Sequence, residues 1–206
     1  NIIVYSIKKK KIIAKYNFYK KKYKKIIKRL NLYVENSTIY VSDNIGYLYS
    51  FNYLNKKINW AQNIKIPFSS NLKIISNKIL TSDQNNNLYF FDKSNGQNLK
   101  LIPTETVTLK NKFQNNLSIT SNNDLLFLNS YGSLYSINLD IMDINWFINL
   151  NQSLDLSKTN LFSGSKIINN DLNIVVSSNN NSYIVDSITG SIISKFNFSS
   201  IVKPII

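Results

Sequence analysis

The sequence predicts an all-β fold, a β-propeller built from four-stranded antiparallel blades, on three observations. The phrase NIGYLYSFNYLNKKINW, which ends at Trp60, recurs 86 residues later as SYGSLYSINLDIMDINW, which ends at Trp146. An anchor tyrosine recurs every 40 to 48 residues, at Tyr5, Tyr49, Tyr89, Tyr135 and Tyr183. No segment keeps the 3.6-residue apolar periodicity of a helix beyond a turn or two. Short strands repeated at this period are typical of propeller blades.

Each period contains the same elements in the same order. A short inner segment, such as NLKIIS at 71–76, precedes an apolar run that ends in polar turn residues, as in TIYVSDNIG or KILTSDQNNN. The anchor strand follows, then a second turn such as DKSNG or DSITG, and then an outer strand. Glycine and asparagine suit these turns because they tolerate a positive φ. The pattern therefore predicts four hairpin-connected strands per repeat.

The residues that recur with the repeat are predicted to have structural roles. A blade has a neighbour on each side, so we expect both faces of its strands to be buried and its aromatic residues to pack between blades. The predicted turn and blade-packing residues are Gly46, Tyr49, Trp60, Tyr89, Gly96, Gly132, Tyr135, Trp146, Tyr183 and Gly190. The alternative for the two tryptophans is stacking on a quinone or a sugar, but their spacing follows the repeat, which favours packing.

The repeat divides the chain into segments of one partial propeller domain, 1–206. The predicted segments are 1–29, the outer strands of a truncated blade with a basic connection; 30–66, 67–104, 105–150 and 151–200, four blades; and 201–206, the start of another. Closure usually takes roughly six to eight blades, so we expect the chain to be about half of a larger propeller. The rival architecture is a β-sandwich or an open repetitive sheet, and the regular Tyr-to-Trp spacing favours the propeller.

Composition removes several kinds of site. The 206 residues include no cysteine and no histidine, which excludes disulfides, thiol nucleophiles, imidazole bases and the usual zinc or copper sites. The repeat-matched acids, Asp43 with Asp83 and Asp92 with Asp186, are the candidates for a calcium site. They recur once per blade and do not converge, so we predict that each binds backbone N–H groups within its own turn. No apolar stretch approaches the roughly 18 to 20 residues that span a bilayer.

The net charge of +14 is concentrated near the N-terminus, where residues 1–30 hold twelve lysines or arginines and no acidic residue. The basic run KKKKIIAKYNFYKKKYKKIIKR, 8–29, interleaves lysines with four aromatic residues. Three interpretations are open: a solvated outer strand with its connecting loop, contact with an anionic membrane surface, and nucleic-acid binding. The first is favoured, and nucleic acid is not expected as a partner. The candidate contacts for an anionic surface are Lys20, Lys21, Lys22, Lys24 and Lys25.

The repeats resemble the pyrroloquinoline-quinone-like (PQQ-like) propeller repeat. Its pattern is an apolar strand, a short turn with glycine, LYSFN or LYALD, a TG-type turn and a closing tryptophan. SDNIGYLYSFNYLNKKINW and NSYGSLYSINLDIMDINW match this pattern, and LYFFDKSNGQNL and YIVDSITGSII match it in part. One branch of the family is the quinoprotein dehydrogenases, which hold the quinone and a calcium ion at the propeller axis. Their vicinal disulfide is impossible in a chain without cysteine.

The chain is more similar to the non-catalytic branch, whose best-known member is a lipoprotein of the bacterial outer-membrane β-barrel assembly machinery. This resemblance implies a protein-interaction scaffold without catalytic residues, cofactor or metal, with other proteins as partners, such as components of that machinery. It also implies a periplasmic location, with outer-membrane anchoring in the full-length protein and peripheral membrane association. The alternatives are a quinoprotein dehydrogenase whose cofactor site lies in further blades, and a module that binds anionic surfaces through 8–29.

Overall fold

The computed structural model describes residues 1–106, 113–151, 162–170, 172–178 and 180–200. These residues form antiparallel β-sheets that follow one another along the chain, together with one turn of 3-10 helix at Lys21–Tyr23. Four of the sheets have four strands and the first has two. The predicted all-β architecture of four-stranded antiparallel blades is therefore confirmed. No helix in these ranges has the length and apolar character needed to cross a membrane.

The sheets follow the repeat in order. The N-terminal hairpin consists of β1 (Ile2–Ser6) and β2 (Lys11–Tyr16). Blade 1 consists of β3 (Leu30–Glu35), β4 (Thr38–Asp43), β5 (Tyr47–Asn52) and β6 (Lys57–Asn63). Blade 2 consists of β7 (Lys73–Ile75), β8 (Lys78–Ser82), β9 (Leu88–Asp92) and β10 (Asn98–Ile102).

Blades 3 and 4 repeat this arrangement. Blade 3 consists of β11 (Asn116–Ile119), β12 (Asp124–Leu128), β13 (Ser133–Asn138) and β14 (Asp143–Asn149). Blade 4 consists of β15 (Ile168–Asn169), β16 (Asn173–Ser177), β17 (Ser182–Asp186) and β18 (Ile192–Phe196). Strands pair in chain order, so the first and last strands of each blade are its edges. The predicted start of a further blade, 201–206, lies outside the described residues.

The third and fourth strands of every blade share an irregularity in register. In blade 1 the register shifts between Ser50 and Phe51, so one residue, Ser50, separates the anchor Tyr49 from the shift. In the N-terminal hairpin the matching shift lies between Val4 and Tyr5, which puts Ile3 at the anchor position. The sequence-based choice of Tyr5 as an anchor is therefore wrong by two residues, and Tyr5 is 56% exposed.

The hydrophobic core lies between successive sheets. In β9, Leu88 and Phe90 pack toward blade 3, whereas Tyr89 and Phe91 pack toward blade 1. All four side chains are buried. Successive side chains of a strand point to opposite faces, and here each face meets another blade. The continuous apolar run LYFF follows from this arrangement, and the predicted burial of both faces is confirmed.

The turn between the second and third strands lies directly against the connection to the next blade. In blade 1 the N–H of Ile64 donates to the carbonyl oxygen of Gly46 at 3.0 Å, and in blade 3 that of Leu150 donates to Gly132 at 2.8 Å. A Cβ on Gly46 would lie 2.8 Å from the carbonyl oxygen of Ile66. Both glycines have a φ of 98°. Glycine is required at Gly46 because the connection leaves no space for a side chain.

Two rims can therefore be distinguished. The connection rim carries the turns that begin at Asp43, Asp83, Asn129 and Ser178, together with the segments that join successive sheets, including 17–29. The hairpin rim, at the other end of the strands, carries the turns between the third and fourth strands, at 53–56, 93–97, 139–142 and 187–191. The N-terminal hairpin contributes its turn, 7–10, to the hairpin rim.

Candidate functional site

The anchor tyrosines pack against the preceding sheet. Tyr49, Tyr89, Tyr135 and Tyr183 belong to the clusters that also contain residues of the N-terminal hairpin, blade 1, blade 2 and blade 3, respectively. All four are buried. The hydroxyl of Tyr89 donates to Asp83 at 2.9 Å, and that of Tyr183 donates to the carbonyl oxygen of Leu150 at 3.3 Å. The ring thus fills the interface between two successive sheets, here called a joint, while its hydroxyl is hydrogen-bonded at the connection rim.

Asp83 organises the connection-rim turn of blade 2. Its Oδ1 accepts the N–H groups of Asn85 at 2.8 Å and Asn87 at 3.0 Å, and its Oδ2 accepts the hydroxyl of Tyr89. Burial, and then the charge of Asp83 and the hydrogen bond to it, raise the pKa of Tyr89 above its ordinary value. Asp43 accepts the matching pair of N–H groups in blade 1. The predicted turn role of both aspartates is confirmed.

Blade 3 has no aspartate at this position, and Glu105 supplies the carboxylate from the preceding connection. Asn129 caps the turn, and its Nδ2 donates to Oε2 of Glu105 at 3.0 Å. Ser133 donates to Oε1 at 2.8 Å and Tyr135 to Oε2 at 2.6 Å. Burial alone would raise the pKa of Glu105, but these hydrogen bonds outweigh it and hold that pKa below its ordinary value.

Glu105 was not among the residues identified from the sequence. It lies in the connection between blades, where the repeat has no pattern to match. The available signal was indirect: the aspartate of blades 1 and 2 is replaced by Asn129, while the anchor tyrosine is retained. A tyrosine hydroxyl buried without its acceptor is costly, so a carboxylate from elsewhere could have been expected.

Two carboxylates of the hairpin rim, Asp92 and Asp186, are likewise engaged in their own turns. Oδ1 of Asp92 accepts the N–H of Ser94 at 2.8 Å, and Oδ1 of Asp186 accepts that of Thr189 at 2.7 Å. Hydrogen bonds from Ser94 and from Thr189 lower the pKa of Asp92 and of Asp186, respectively. Within the described ranges, no three acidic side chains come together as a group that could hold a metal ion. What the arrangement does chemically is to fix turns.

The two tryptophans pack against the following blade. Trp60 on β6 donates from Nε1 to the carbonyl oxygen of Lys93 at 3.1 Å, and Trp146 on β14 donates to that of Ser187 at 3.3 Å. Each ring covers a glycine in the hairpin-rim turn of the following blade. A Cβ on Gly96 would lie 2.4 Å from Cε3 of Trp60. Gly190 has the same relation to Trp146, at 2.5 Å. In blades 1 and 3, tyrosine and tryptophan thus join the blade to opposite neighbours.

Where the tryptophan is missing, the glycine is missing too. The outer strand of blade 2 has Lys100 at the tryptophan position, and the following turn has Met142, with a φ of 55°, at the glycine position. The register of the N-terminal hairpin places Ala14 at the tryptophan position, and the turn of blade 1 has Lys56, with a φ of 57°. Glycine is therefore required by the indole ring and not by the turn alone.

At the inner end of the joint between blades 2 and 3, Asn71 takes the place of a strand partner. Its Oδ1 accepts the N–H of Leu117 at 2.8 Å, and its Nδ2 donates to the carbonyl oxygen of Leu117 at 2.9 Å. From the other side, Asn169 of blade 4 donates to the carbonyl oxygen of Ile119 at 3.3 Å. Side-chain amides thus satisfy the backbone groups of the edge strand β11.

Replacing Asn71 with alanine is expected to lower the free energy of unfolding by about 1 to 3 kcal/mol, because it leaves a buried N–H and C=O without partners. The measurement is urea denaturation. Asn71→Asp, which keeps an acceptor for the N–H but repels the carbonyl oxygen, is expected to destabilise as well. A change below about 0.5 kcal/mol for Asn71→Ala would show that the amide does not join the blades.

The aromatic residues of the basic run fold inward against blade 1. Phe18 stacks on Tyr49 with ring centroids 4.2 Å apart, and Tyr23 lies edge-on to Tyr19 at 6.4 Å. The hydroxyl of Tyr19 donates to Asp43 at 2.5 Å. Burial, and then this hydrogen bond, raise the pKa of Tyr19. These half-buried rings contact blade 1 at the joint with the N-terminal hairpin, which disfavours the interpretation in which they face a nucleic acid.

The lysines of the same segment face solvent. Lys20, Lys21, Lys22, Lys24 and Lys25 are all exposed. They lie on the connection between β2 and β3, on the connection rim beside blade 1. The sequence-based candidates for contact with an anionic surface are therefore brought together and accessible.

Comparison with known proteins extends these observations. No family model matches the chain, and no curated protein matches it. Among solved structures, BamB from Moraxella catarrhalis is similar, with a TM-score of 0.60 and 10% identity over 83% of this chain and 49% of that protein. The computationally designed Ika8 protein has a TM-score of 0.72 and 9% identity, over 95% of this chain and 55% of Ika8.

Sqt1 from Saccharomyces cerevisiae is similar as well, with a TM-score of 0.63 and 13% identity over 85% of this chain and 50% of Sqt1. The chain thus spans about half the length of each of these three structures. At such low identity the likeness concerns the fold alone. Together with the stacked four-stranded sheets, it shows that this chain has the β-propeller fold.

Proposed function

We propose that the chain is a non-catalytic scaffold that binds other proteins. The observation that carries this proposal is the outer edge of blades 2 to 4, where apolar side chains are exposed beside a strand edge that no other described strand pairs with. The exposed apolar residues are Leu99 and Leu101 on β10, Ile144 and Phe147 on β14, and Ile192, Ile193 and Phe196 on β18. An exposed edge of this kind is suited to accept a strand from a partner.

The rigidity of the blades supports the same proposal. The anchor tyrosine of each blade packs on the preceding sheet, the tryptophans of blades 1 and 3 pack on the following blade, and carboxylates at both rims hold turns. In a chain without histidine or cysteine, carboxylates, lysines, tyrosines and serines are the groups left for acid–base chemistry. Carboxylates and tyrosines are bonded here in turns and joints. Their engagement in turns and joints favours presentation of loops and edges over catalysis. Partners dock on loops and edges that are held in place before binding.

We further propose that the partner is a component of the bacterial outer-membrane β-barrel assembly machinery, and that the protein acts in the periplasm. Two features support this proposal: the resemblance of the repeats to the non-catalytic branch of the PQQ-like family, and the fold likeness to BamB from Moraxella catarrhalis. One fold hosts many functions, so the partner has to be tested directly.

Replacing Phe147 or Ile193 with aspartate is expected to weaken binding to the periplasmic domains of that machinery at least about tenfold. Phe147 is 58% exposed and Ile193 is 55% exposed, so each offers apolar surface that a partner strand would bury, and a buried charge would oppose it. The measurement is isothermal titration calorimetry. Gln62→Asp on β6, whose exposed residues include no large apolar side chain, is the matched control and should have little effect.

Two results would contradict the proposal at different levels. Failure of the unaltered chain to bind any of these domains would refute the assigned partner. Saturable uptake of quinone and calcium, measured by absorbance and accompanied by alcohol or sugar oxidation, would refute the non-catalytic role. In that case the quinoprotein alternative would take its place.

A further inference from the structure

We propose that the connection 17–29, here called the basic connection, is a second binding surface that docks on an anionic lipid bilayer. Its contacts would be the five exposed lysines Lys20, Lys21, Lys22, Lys24 and Lys25, with Ile27 as an apolar contact. This surface lies on the connection rim of blade 1, away from the apolar outer edges of blades 2 to 4. It is therefore independent of the proposed protein-binding edges.

Among the described residues, no acidic group forms an ion pair with the basic connection. Residues 17–29 include six lysines, one arginine and no acidic residue. The nearest repeat-matched acid, Asp43, is occupied by turn N–H groups and by the hydroxyl of Tyr19. In the part of the chain that the structure describes, the ion pair joins Lys93 of blade 2 to Glu35 of blade 1 and involves no residue of the basic connection. The five lysines therefore attract an external anionic surface.

The basic connection is held in shape before any ligand binds. The hydroxyls of Tyr23 and Tyr47 share a hydrogen bond at 3.1 Å, and the ammonium group of Lys28 donates to the carbonyl oxygen of Tyr23. The side chain of Asn44 accepts the N–H of Arg29 at 2.8 Å and donates to the carbonyl oxygen of Ile27 at 3.0 Å. These bonds hold the basic connection at Tyr23, within the run of lysines, and at Ile27 and Arg29, after it. Binding therefore does not have to order this part of the loop.

An apolar side chain projects from the same surface. Ile27 is 83% exposed and Ile26 is 44% exposed, directly after Lys24 and Lys25. Cationic side chains beside an exposed aliphatic one suit a membrane interface, where the charges meet the headgroups and the apolar chain enters the acyl boundary. Binding of single-stranded nucleic acid normally uses exposed aromatic rings, and here the rings pack against blade 1. The surface therefore favours lipid over nucleic acid.

The charge contribution can be measured by vesicle sedimentation of the full chain. We expect binding to vesicles of phosphatidylglycerol and phosphatidylcholine, and none to phosphatidylcholine alone. Changing the five lysines to glutamine should weaken binding at least about tenfold. The matched control removes five exposed lysines at or near the hairpin rim, Lys8, Lys9, Lys11, Lys56 and Lys57, and should weaken binding less than about threefold. Circular dichroism confirms that both variants are folded.

The apolar contribution distinguishes a bilayer from another polyanion. Ile27→Asn changes no charge, and we expect it to weaken vesicle binding about threefold while leaving any binding of a single-stranded oligonucleotide unchanged. Equal losses in the two lysine variants would overturn the proposal, because they would show a general effect of net charge. Absence of vesicle binding would overturn it as well. Tighter binding to the oligonucleotide, with no effect of Ile27→Asn on vesicles, would replace it with a nucleic-acid surface.

Discussion

Replacing Gly96 with alanine is expected to lower the free energy of unfolding by about 2 to 5 kcal/mol. The new Cβ would lie 2.4 Å from Cε3 of Trp60, and the backbone of Gly96 has a φ of 76°, in the left-handed region. The indole ring is held in place by its hydrogen bond to the carbonyl oxygen of Lys93. The measurement is urea denaturation followed by tryptophan fluorescence. Gly190→Ala should behave similarly, because its Cβ would lie 2.5 Å from the ring of Trp146.

The control distinguishes the clash with the tryptophan ring from the strain of the turn backbone. Lys56 occupies the same turn position in blade 1 with a φ of 57°, so Lys56→Ala keeps the left-handed backbone without placing an atom against an indole ring. Its expected effect is within about 0.5 kcal/mol. Adding Trp60→Leu to Gly96→Ala should recover part of the loss, since the smaller side chain makes room for the Cβ. Equal destabilisation by Gly96→Ala and Lys56→Ala would show that the tryptophan is not the cause.

Replacing Glu105 with alanine is expected to cost about 2 to 4 kcal/mol, because three donors lose their shared acceptor. These donors are the side chains of Asn129, Ser133 and Tyr135. Tyr135 is buried, so its hydroxyl cannot turn freely to water. Thermal and urea denaturation measure the loss. A cost below about 0.5 kcal/mol would mean that solvent replaces the carboxylate without penalty.

The same carboxylate makes stability depend on pH in acid. Because the pKa of Glu105 is lower in the folded state than its ordinary value of 4.5, its contribution is complete well above that value. The contribution decreases as pH falls below about 4.5 and is lost once pH passes through the folded-state pKa. Glu105→Gln should therefore reduce the loss of stability in acid. Tyr135→Phe, which retains the carboxylate and removes one donor, should raise the pKa of Glu105 in a carboxyl NMR titration. An unchanged acid dependence in Glu105→Gln would contradict this role.

Much of the fold could be predicted from the chain alone because its determinants are local. The apolar run LYFF in β9 predicts a strand covered on both faces, because successive side chains of a strand point to opposite faces. That prediction does not require knowing which blades lie on either side. The turn role of Asp83 and Asp186 also depends on groups two to four residues away. The N-terminal hairpin shows where such reasoning fails. Tyr5 looked like an anchor by spacing, but the strand register puts Ile3 there.

The joints could not be derived in the same way. Trp60 and Gly96 occur together, and Lys100 and Met142 replace them together, so the sequence held the correlation. Its cause is visible only when the outer strand of one blade lies against the hairpin rim of the next. Glu105 contacts Tyr135 from a connection that has no repeat pattern. In the basic run, the alternation of lysines and aromatic residues did not indicate which side chains face inward.

By itself the sequence determined the strands, the turns and their period. The tertiary structure decided which side chains meet across each joint, that the aromatic residues of 17–29 turn toward blade 1, and that the lysines of this segment share an exposed surface. The physical reason is that strand alternation and turn geometry depend on neighbours along the chain. Contacts between blades instead depend on how successive sheets stack and on the path of the segments between them.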